Sequence, residues 1–159
     1  MDFENYNKEA KIIDLVKANI VALKYFALFT VIFALPYYLL WGFNSPSFQS
    51  ENSIIIAFIS VIVILLGIVI HELIHGIFFA LYASKGFKSI KFGILWKMLT
   101  PYCHCKEPLK IKHYIIALLA PLVLLGILPA LISLVIGSIP LLAFGIFFSG
   151  RAAGDLMIY

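Results

Sequence analysis

Charged residues are scarce in this chain. Only 13% of its 159 residues are Asp, Glu, Lys or Arg, whereas 63% are hydrophobic, and the mean hydropathy is +1.05. A typical soluble domain carries about 25% charged residues, so the composition excludes that class and indicates a membrane protein. The length favours a single integral membrane domain covering residues 1–159, because a helical bundle with a separate soluble module needs a longer chain.

Cysteines are also few, and the net charge is small. Cys103 and Cys105 are the only two cysteines, and the formal net charge is +4. The lysines that produce this charge gather in two places. We therefore interpret the charge as a signal of membrane topology, and we expect no nucleic-acid partner.

Four apolar stretches are each close to the roughly 20 residues that cross about 30 Å of hydrocarbon. They cover residues 19–41, 54–84, 114–137 and 139–157. The acidic start "MDFENYNKEAK" does not resemble the first part of a signal peptide, so we expect the first stretch to remain as a helix. The predicted fold class is an all-α membrane protein with about four transmembrane helices.

The lysines between these stretches predict the orientation of the chain. Three precede the first stretch and none lies in residues 44–53, whereas seven lie between the second and third stretches: Lys85, Lys88, Lys91, Lys97, Lys106, Lys110 and Lys112. Because cytoplasmic connections are rich in lysine and arginine, we expect both termini and residues 85–113 on the cytoplasmic side. Cys103 and Cys105 would then face a reducing compartment, where a structural disulfide is not expected.

The second apolar stretch contains the sequence "HELIH". At 3.6 residues per turn, His71 and His75 share one helix face, so both imidazoles can reach one metal ion. Glu72 lies about 100° round the helix and can reach a metal-bound water. Two nitrogen ligands and a general base are the signature of a zinc peptidase. The alternative is that the three side chains form hydrogen bonds to neighbouring helices.

A catalytic zinc needs a third protein ligand, and Asp155 is the other acidic residue inside an apolar stretch. Measured from Ile54 and Ile139, His71 lies about 26 Å and Asp155 about 24 Å along its helix, so both reach the same depth. The small residues of "SGRAAGD" would let helices approach closely. Arg151 leaves two interpretations open: an i, i+4 ion pair with Asp155, or support of a liganding carboxylate.

The connection of residues 85–113 mixes alternating, β-branched and aromatic residues in "FKSIKFGILWKML", after Gly86 as a candidate helix cap. The pattern predicts a β-hairpin whose free edge could bind an extended peptide; a lysine-rich loop at an anionic leaflet is the alternative. Alternation would turn Cys103 and Cys105 away from His104, which disfavours a second metal site made of all three. His104 is a candidate for the mouth of the active site, where it could stabilise charge on a carbonyl.

Together, "HELIH", "GFKSIKFGILWKMLTPYCHCKEPL", "LLAPLVLLG" and "SGRAAGD" resemble the site-2 protease type of intramembrane zinc metalloprotease. The resemblance is closer to a family of small bacterial membrane proteins classed as zincin peptidases, and it runs from about residue 54 to the end of the chain. It implies zinc bound by His71, His75 and Asp155, with Glu72 activating water. It also implies a multi-pass protein of a bacterial cell membrane.

The predicted function is hydrolysis of peptide bonds in membrane or membrane-proximal proteins, with the lipid bilayer as surroundings and Zn²⁺ as cofactor. Pro121 and Pro129 could loosen the third helix to admit a substrate. Two alternatives are a non-catalytic protein that binds or transports a metal ion and an inactive relative that holds peptides on its hairpin. Neither alternative requires Glu72. The sequence leaves open whether the chain forms a homo-oligomer.

Overall fold

A computed structural model describes residues 15–42, 52–96 and 100–155. Within these ranges the chain forms four helices and a two-stranded sheet. In chain order the elements are α1 (Leu15–Trp41), α2 (Ser53–Tyr82), a 3₁₀ turn (Gly86–Ser89), β1 (Ile90–Leu95), β2 (Thr100–Cys105), α3 (Ile111–Pro121), a π-helical segment (Leu122–Ile127), α4 (Leu128–Ile136) and α5 (Ile139–Asp155). The segments α3, π and α4 are continuous and count as one helix.

The predicted order of helices and hairpin is confirmed. Three helical stretches are long and apolar enough to cross a membrane, namely Leu23–Trp41, Ile54–Tyr82 and Ile111–Ile136, and α5 contains the shorter apolar stretch Ile139–Ala152. Large apolar side chains in the first half of α2 are exposed over most of the helix surface, including Ile54, Ile55, Phe58 and Val63. Such a surface is compatible with surrounding lipid.

The main apolar core forms where α5 packs against α1 and α4. Its buried members are Phe33, Tyr37, Ala130, Leu142 and Ile146. Two aromatic side chains of α1 also donate hydrogen bonds to the end of α4. The Tyr37 hydroxyl donates to the Gly137 carbonyl at 2.6 Å, and the Trp41 indole N–H donates to the Leu134 carbonyl at 2.9 Å. These bonds use carbonyls that a helix end leaves without intrahelical partners.

Close approach of α5 to its neighbours depends on two glycines. A Cβ on Gly145 would lie 2.6 Å from the Ala130 backbone nitrogen, and a Cβ on Gly126 would lie 2.5 Å from the Ser149 hydroxyl oxygen. Ser149 begins the stretch "SGRAAGD", in which a Cβ on Gly150 would lie 2.5 Å from the Phe26 ring, whereas a Cβ on Gly154 would meet no atom within 4 Å. The stretch therefore makes close helix contacts at Ser149 and Gly150 and none at Gly154.

A π-helical segment interrupts the third helix at Leu122–Ile127, directly after Pro121 and just before Pro129. Proline lacks an N–H, and its ring collides with the carbonyl four residues earlier, so a wider turn relieves both problems. Gly126 of this segment is the residue that packs on Ser149 of α5. The segment between the two prolines thus packs directly on α5, the helix that carries Asp155.

The hairpin is antiparallel, with Cα partners running from Ile90 with Cys105 to Leu95 with Thr100. Its inner face packs on α2 and α3, where Ile90 joins a cluster with Phe79, Ala80 and Ala117. The helix before it ends at Tyr82, with Ala83 extended, so Gly86 begins the 3₁₀ turn and does not cap α2. Alternating residues on one face of a strand pair explain why the sequence predicted this element.

Glu107, which follows β2, fixes the open end of the hairpin to the end of α2. Its carboxylate accepts hydrogen bonds from the Ser84 backbone N–H at 2.9 Å, the Ser84 hydroxyl at 2.5 Å and the Ser89 hydroxyl at 2.5 Å. The Ser84 hydroxyl and then the Ser89 hydroxyl stabilise the charged form, which lowers the pKa of Glu107 below its ordinary value. This carboxylate is therefore ionised at neutral pH and holds both serines.

Candidate metal centre

Three ionisable side chains of α2 are buried where the hairpin, α3 and α5 meet the helix. The exposed fractions are 0% for His71, 7% for Glu72 and 5% for His75. The two imidazole rings lie edge to face with centroids 4.9 Å apart, as their separation of about one helical turn requires. Burial of three such groups in an apolar helix is costly unless each has a partner or a ligand.

Asp155 of α5 meets both histidines. Its Oδ2 atom lies 2.8 Å from Nε2 of His71 and 3.2 Å from Nε2 of His75. The potential ligand atoms of the three residues all lie within 4.8 Å of one another. The helix depths deduced from the sequence thus agree with the observed meeting of α2 and α5.

A backbone contact fixes the orientation of His75. Its Nδ1 atom lies 3.0 Å from the Ala117 carbonyl oxygen, which can only accept, so Nδ1 carries the proton. In a neutral imidazole, Nε2 then presents a lone pair, and this lone pair faces the Asp155 carboxylate. Two lone pairs at 3.2 Å repel unless a proton or a cation lies between them. The arrangement is that of a metal-binding histidine held by a carbonyl on its other nitrogen.

The donor set fits a zinc ion. Two imidazole nitrogens and one carboxylate oxygen match the three protein ligands of catalytic zinc sites, which keep one coordination position open. Among the described residues, this is the one group of three or more His, Cys, Asp and Glu side chains close enough to share a metal ion. His71, His75 and Asp155 could therefore bind a metal, and the other predicted site residues lie around them.

Arg151 pairs with Glu72. One of its terminal nitrogens, Nη2, donates to Glu72 Oε1 at 2.7 Å, and both side chains are largely buried. The sequence had offered Asp155 as the partner of Arg151, either as an ion pair or as a supported ligand. An i, i+4 spacing is visible in a sequence, whereas the contact between α5 and α2 depends on how the two helices pack.

The hairpin positions Cys103 and Cys105 on its packed face, where both contact the α2 and α3 cluster. Burial first, and then the nearby Glu72 carboxylate, raise the pKa of the Cys103 thiol to about 12. His104 lies on the other face, exposed and paired across the sheet with Lys91. The structure thus separates His104 from the two thiols, and its predicted role at the site mouth stays a prediction.

Two packed aromatic side chains lie between the site and a cavity that α2 and α5 line. The cavity has a volume of about 420 Å³ and is lined mainly by apolar side chains, among them Ile59, Val63 and Phe144. The Phe144 ring packs on Phe148 at a centroid distance of 4.5 Å, and Phe148 lies 6.0 Å from the His71 ring. Phe144 and Phe148 therefore connect the cavity to His71.

A comparison with known families identifies the region that contains this site. Residues 64–159, more than half of the chain, match a family described as "Putative zincin peptidase". No curated protein and no solved structure matches the chain. The matched range includes His71, Glu72, His75, Arg151 and Asp155. Because the match covers most of the chain and all five of these residues, the chain belongs to this zincin peptidase family, whose description indicates a zinc metallopeptidase.

Proposed function

We propose that the protein is an intramembrane zinc metalloendopeptidase that hydrolyses peptide bonds of membrane or membrane-proximal substrates. The observation that carries the proposal is the convergence of two imidazole nitrogens from α2 on one carboxylate oxygen from α5, beside Glu72. Membership of a zincin peptidase family supports the peptidase class. Three long apolar helices support the membrane setting.

The mechanism follows from the roles that these side chains can perform. Zinc held by His71, His75 and Asp155 would supply Lewis acidity, which lowers the pKa of a coordinated water to about 7 and polarises a peptide carbonyl. Glu72 accepts the proton of the attacking water and then delivers it to the leaving nitrogen. The Ala117 carbonyl accepts from Nδ1 of His75, which selects the neutral tautomer whose Nε2 lone pair is directed at the site.

The hairpin is the proposed docking surface for the substrate. Cys103 of β2 packs against a cluster that includes Phe79 and Ala80 of α2, the helix that carries the general base. An extended peptide that added to an edge of this sheet would gain main-chain hydrogen bonds close to the catalytic group. A transmembrane helix would have to unwind first, because its carbonyls are engaged in i to i+4 hydrogen bonds.

Metal analysis of the detergent-purified protein, combined with cleavage of fluorescein-labelled casein, tests the proposal. Casein is an unfolded chain, so its cleavage requires no helix unwinding. We expect about one zinc per wild-type chain and loss of zinc in Asp155→Asn, since three protein ligands define such a site. Glu72→Gln should retain zinc and lose at least about 100-fold in cleavage rate, because general-base catalysis contributes about 10²–10⁴.

Gly154→Ala is the matched control beside Asp155, since its methyl group would meet no atom within 4 Å. It should keep both zinc and cleavage. A folded wild-type protein without metal would overturn the metal site. Zinc retained together with full cleavage in Glu72→Gln would remove the peptidase mechanism and favour a metal carrier, which has no need of a general base.

A further inference from the structure

The ion pair between Arg151 and Glu72 carries an inference that rests on the proposed function and deepens it. We propose that Arg151 is a positioning residue that holds Glu72 in the orientation in which one carboxylate oxygen faces the attacking water. Arg151 contacts Glu72 through Nη2 at 2.7 Å, and the contacted oxygen is Oε1. The other oxygen, Oε2, is the one that serves as the base.

Arg151 lies on the same helix, α5, as the candidate metal ligand Asp155. Arg151 precedes Asp155 by four residues, about one helical turn, so both point from α5 toward α2. Asp155 reaches the two histidines and Arg151 reaches Glu72, whose neighbour in sequence is His71. One turn of α5 thus positions both the candidate metal ligand and the general base. A shift of α5 would displace both together.

Burial makes the orientation of Glu72 dependent on this pair. Glu72 is 7% exposed and lies among apolar residues of α2, where an unpaired carboxylate would be strongly disfavoured. A guanidinium is always charged, so it compensates Glu72, and its hydrogen bond through Nη2 restrains the Oε1 atom of the carboxylate. Arg151 Nε is buried and has no hydrogen-bond partner among the described residues, so the guanidinium contacts Glu72 through Nη2.

A purely structural pair between α2 and α5 is the competing explanation, and kinetics separate the two. We expect Arg151→Gln to lower kcat about 10- to 100-fold per zinc-loaded protein. KM should change little, because a misaligned base slows the chemical step and leaves substrate binding intact. Arg151→Lys should recover part of kcat, since an ammonium restores the charge without the planar fork. Zinc content should stay at the wild-type value in both variants.

The double variant Glu72→Gln/Arg151→Gln provides the decisive comparison. If Arg151 acts through Glu72, removing Arg151 should not further reduce the rate that remains in Glu72→Gln. Thermal unfolding gives an independent readout of the pair. Each single variant leaves one buried charge uncompensated, so the double variant should melt at a higher temperature than the summed shifts of the single variants predict.

The outcomes distinguish failure of this inference from failure of the proposed function. Wild-type protein that contains zinc and cleaves no peptide would overturn the peptidase and the positioning role together. Cleavage by wild type with an unchanged kcat in Arg151→Gln would overturn the positioning role alone. Additive effects of the two substitutions on kcat would also overturn it, and additive melting shifts would exclude the ion pair itself.

Discussion

At the scale of single residues, the site combines contacts that the sequence predicts with contacts that it cannot predict. His71 and His75 face the same way because residues four apart in a helix lie on one face, so "HELIH" was sufficient to pair them. The Ala117 carbonyl beside His75 and the guanidinium beside Glu72 come from α3 and α5. Such partners depend on the register between helices, which no local pattern encodes.

Cys103 yields a prediction at this scale. Its thiol has a pKa raised to about 12 from an ordinary value of 9.0 by burial and by the Glu72 charge. A shift of this size lowers the thiolate fraction at neutral pH by about 1000-fold, and the thiolate is the reactive form. In a Cys105→Ala variant, we expect the remaining thiol to react with a maleimide far more slowly than in the same protein unfolded in detergent and urea.

The Glu72→Gln substitution in the same Cys105→Ala protein is the matched control. It removes the nearby negative charge and leaves the burial of Cys103 intact, so labelling should accelerate while staying below the unfolded rate. Fast labelling of the folded protein would contradict the packing of Cys103 against α2 and α3.

At the scale of elements, hydropathy and alternation were sufficient to predict four helices and a hairpin between the second and third. The π-helical segment was not predictable, because it depends on two prolines together with the packing of Gly126 on Ser149. The stretch "SGRAAGD" indicated a close helix contact, and Ser149 does pack on Gly126, whereas the contact of Gly145 with Ala130 lies outside the stretch and was not predicted. Small residues indicate that a close approach is possible, but the position of the approach follows from the crossing of α5 with α4.

Gly145 provides the prediction for this scale. In Gly145→Ala the added methyl would lie 2.6 Å from the Ala130 backbone nitrogen and 2.8 Å from the Gly126 carbonyl oxygen. Backbone atoms cannot rotate away as side chains can, so α5 must shift, at a cost of about 1–3 kcal/mol. We expect a lower melting temperature and weaker zinc binding, because Asp155 moves with α5.

Gly154→Ala on the same helix is the matched comparison, since no atom lies within 4 Å of the new methyl group. The same replacement should there leave stability unchanged or raise it slightly, because alanine favours a helix over glycine by up to about 1 kcal/mol. Scanning fluorimetry and zinc titration of both variants test the contrast. Equal effects at the two positions would show that the contact with α4 does not constrain α5.

At the scale of the whole molecule, most lysines of the described residues lie at the hairpin end. Six exposed lysines lie in and around the hairpin: Lys85, Lys88, Lys91, Lys106, Lys110 and Lys112. Residues 85–113 contain a single acidic residue, Glu107, and the two serines hold its carboxylate. The opposite end of α2 begins after Asn52 and continues into exposed apolar residues. This asymmetry is the physical basis for the expected cytoplasmic position of the hairpin.

Accessibility of the two ends of α2 tests this orientation. The helix has 30 residues, so it is about 45 Å long and exceeds the roughly 30 Å of bilayer hydrocarbon. In a protein with Cys103 and Cys105 replaced by alanine, we expect Lys88→Cys to react with a membrane-impermeant maleimide in inside-out vesicles. Asn52→Cys should instead react in intact cells. The reversed pattern would invert the topology, and labelling of both positions from one side would exclude a spanning α2. The expected pattern would place Glu72, which lies nearer the Lys88 end of α2, within reach of cytoplasmic water, as a hydrolase requires.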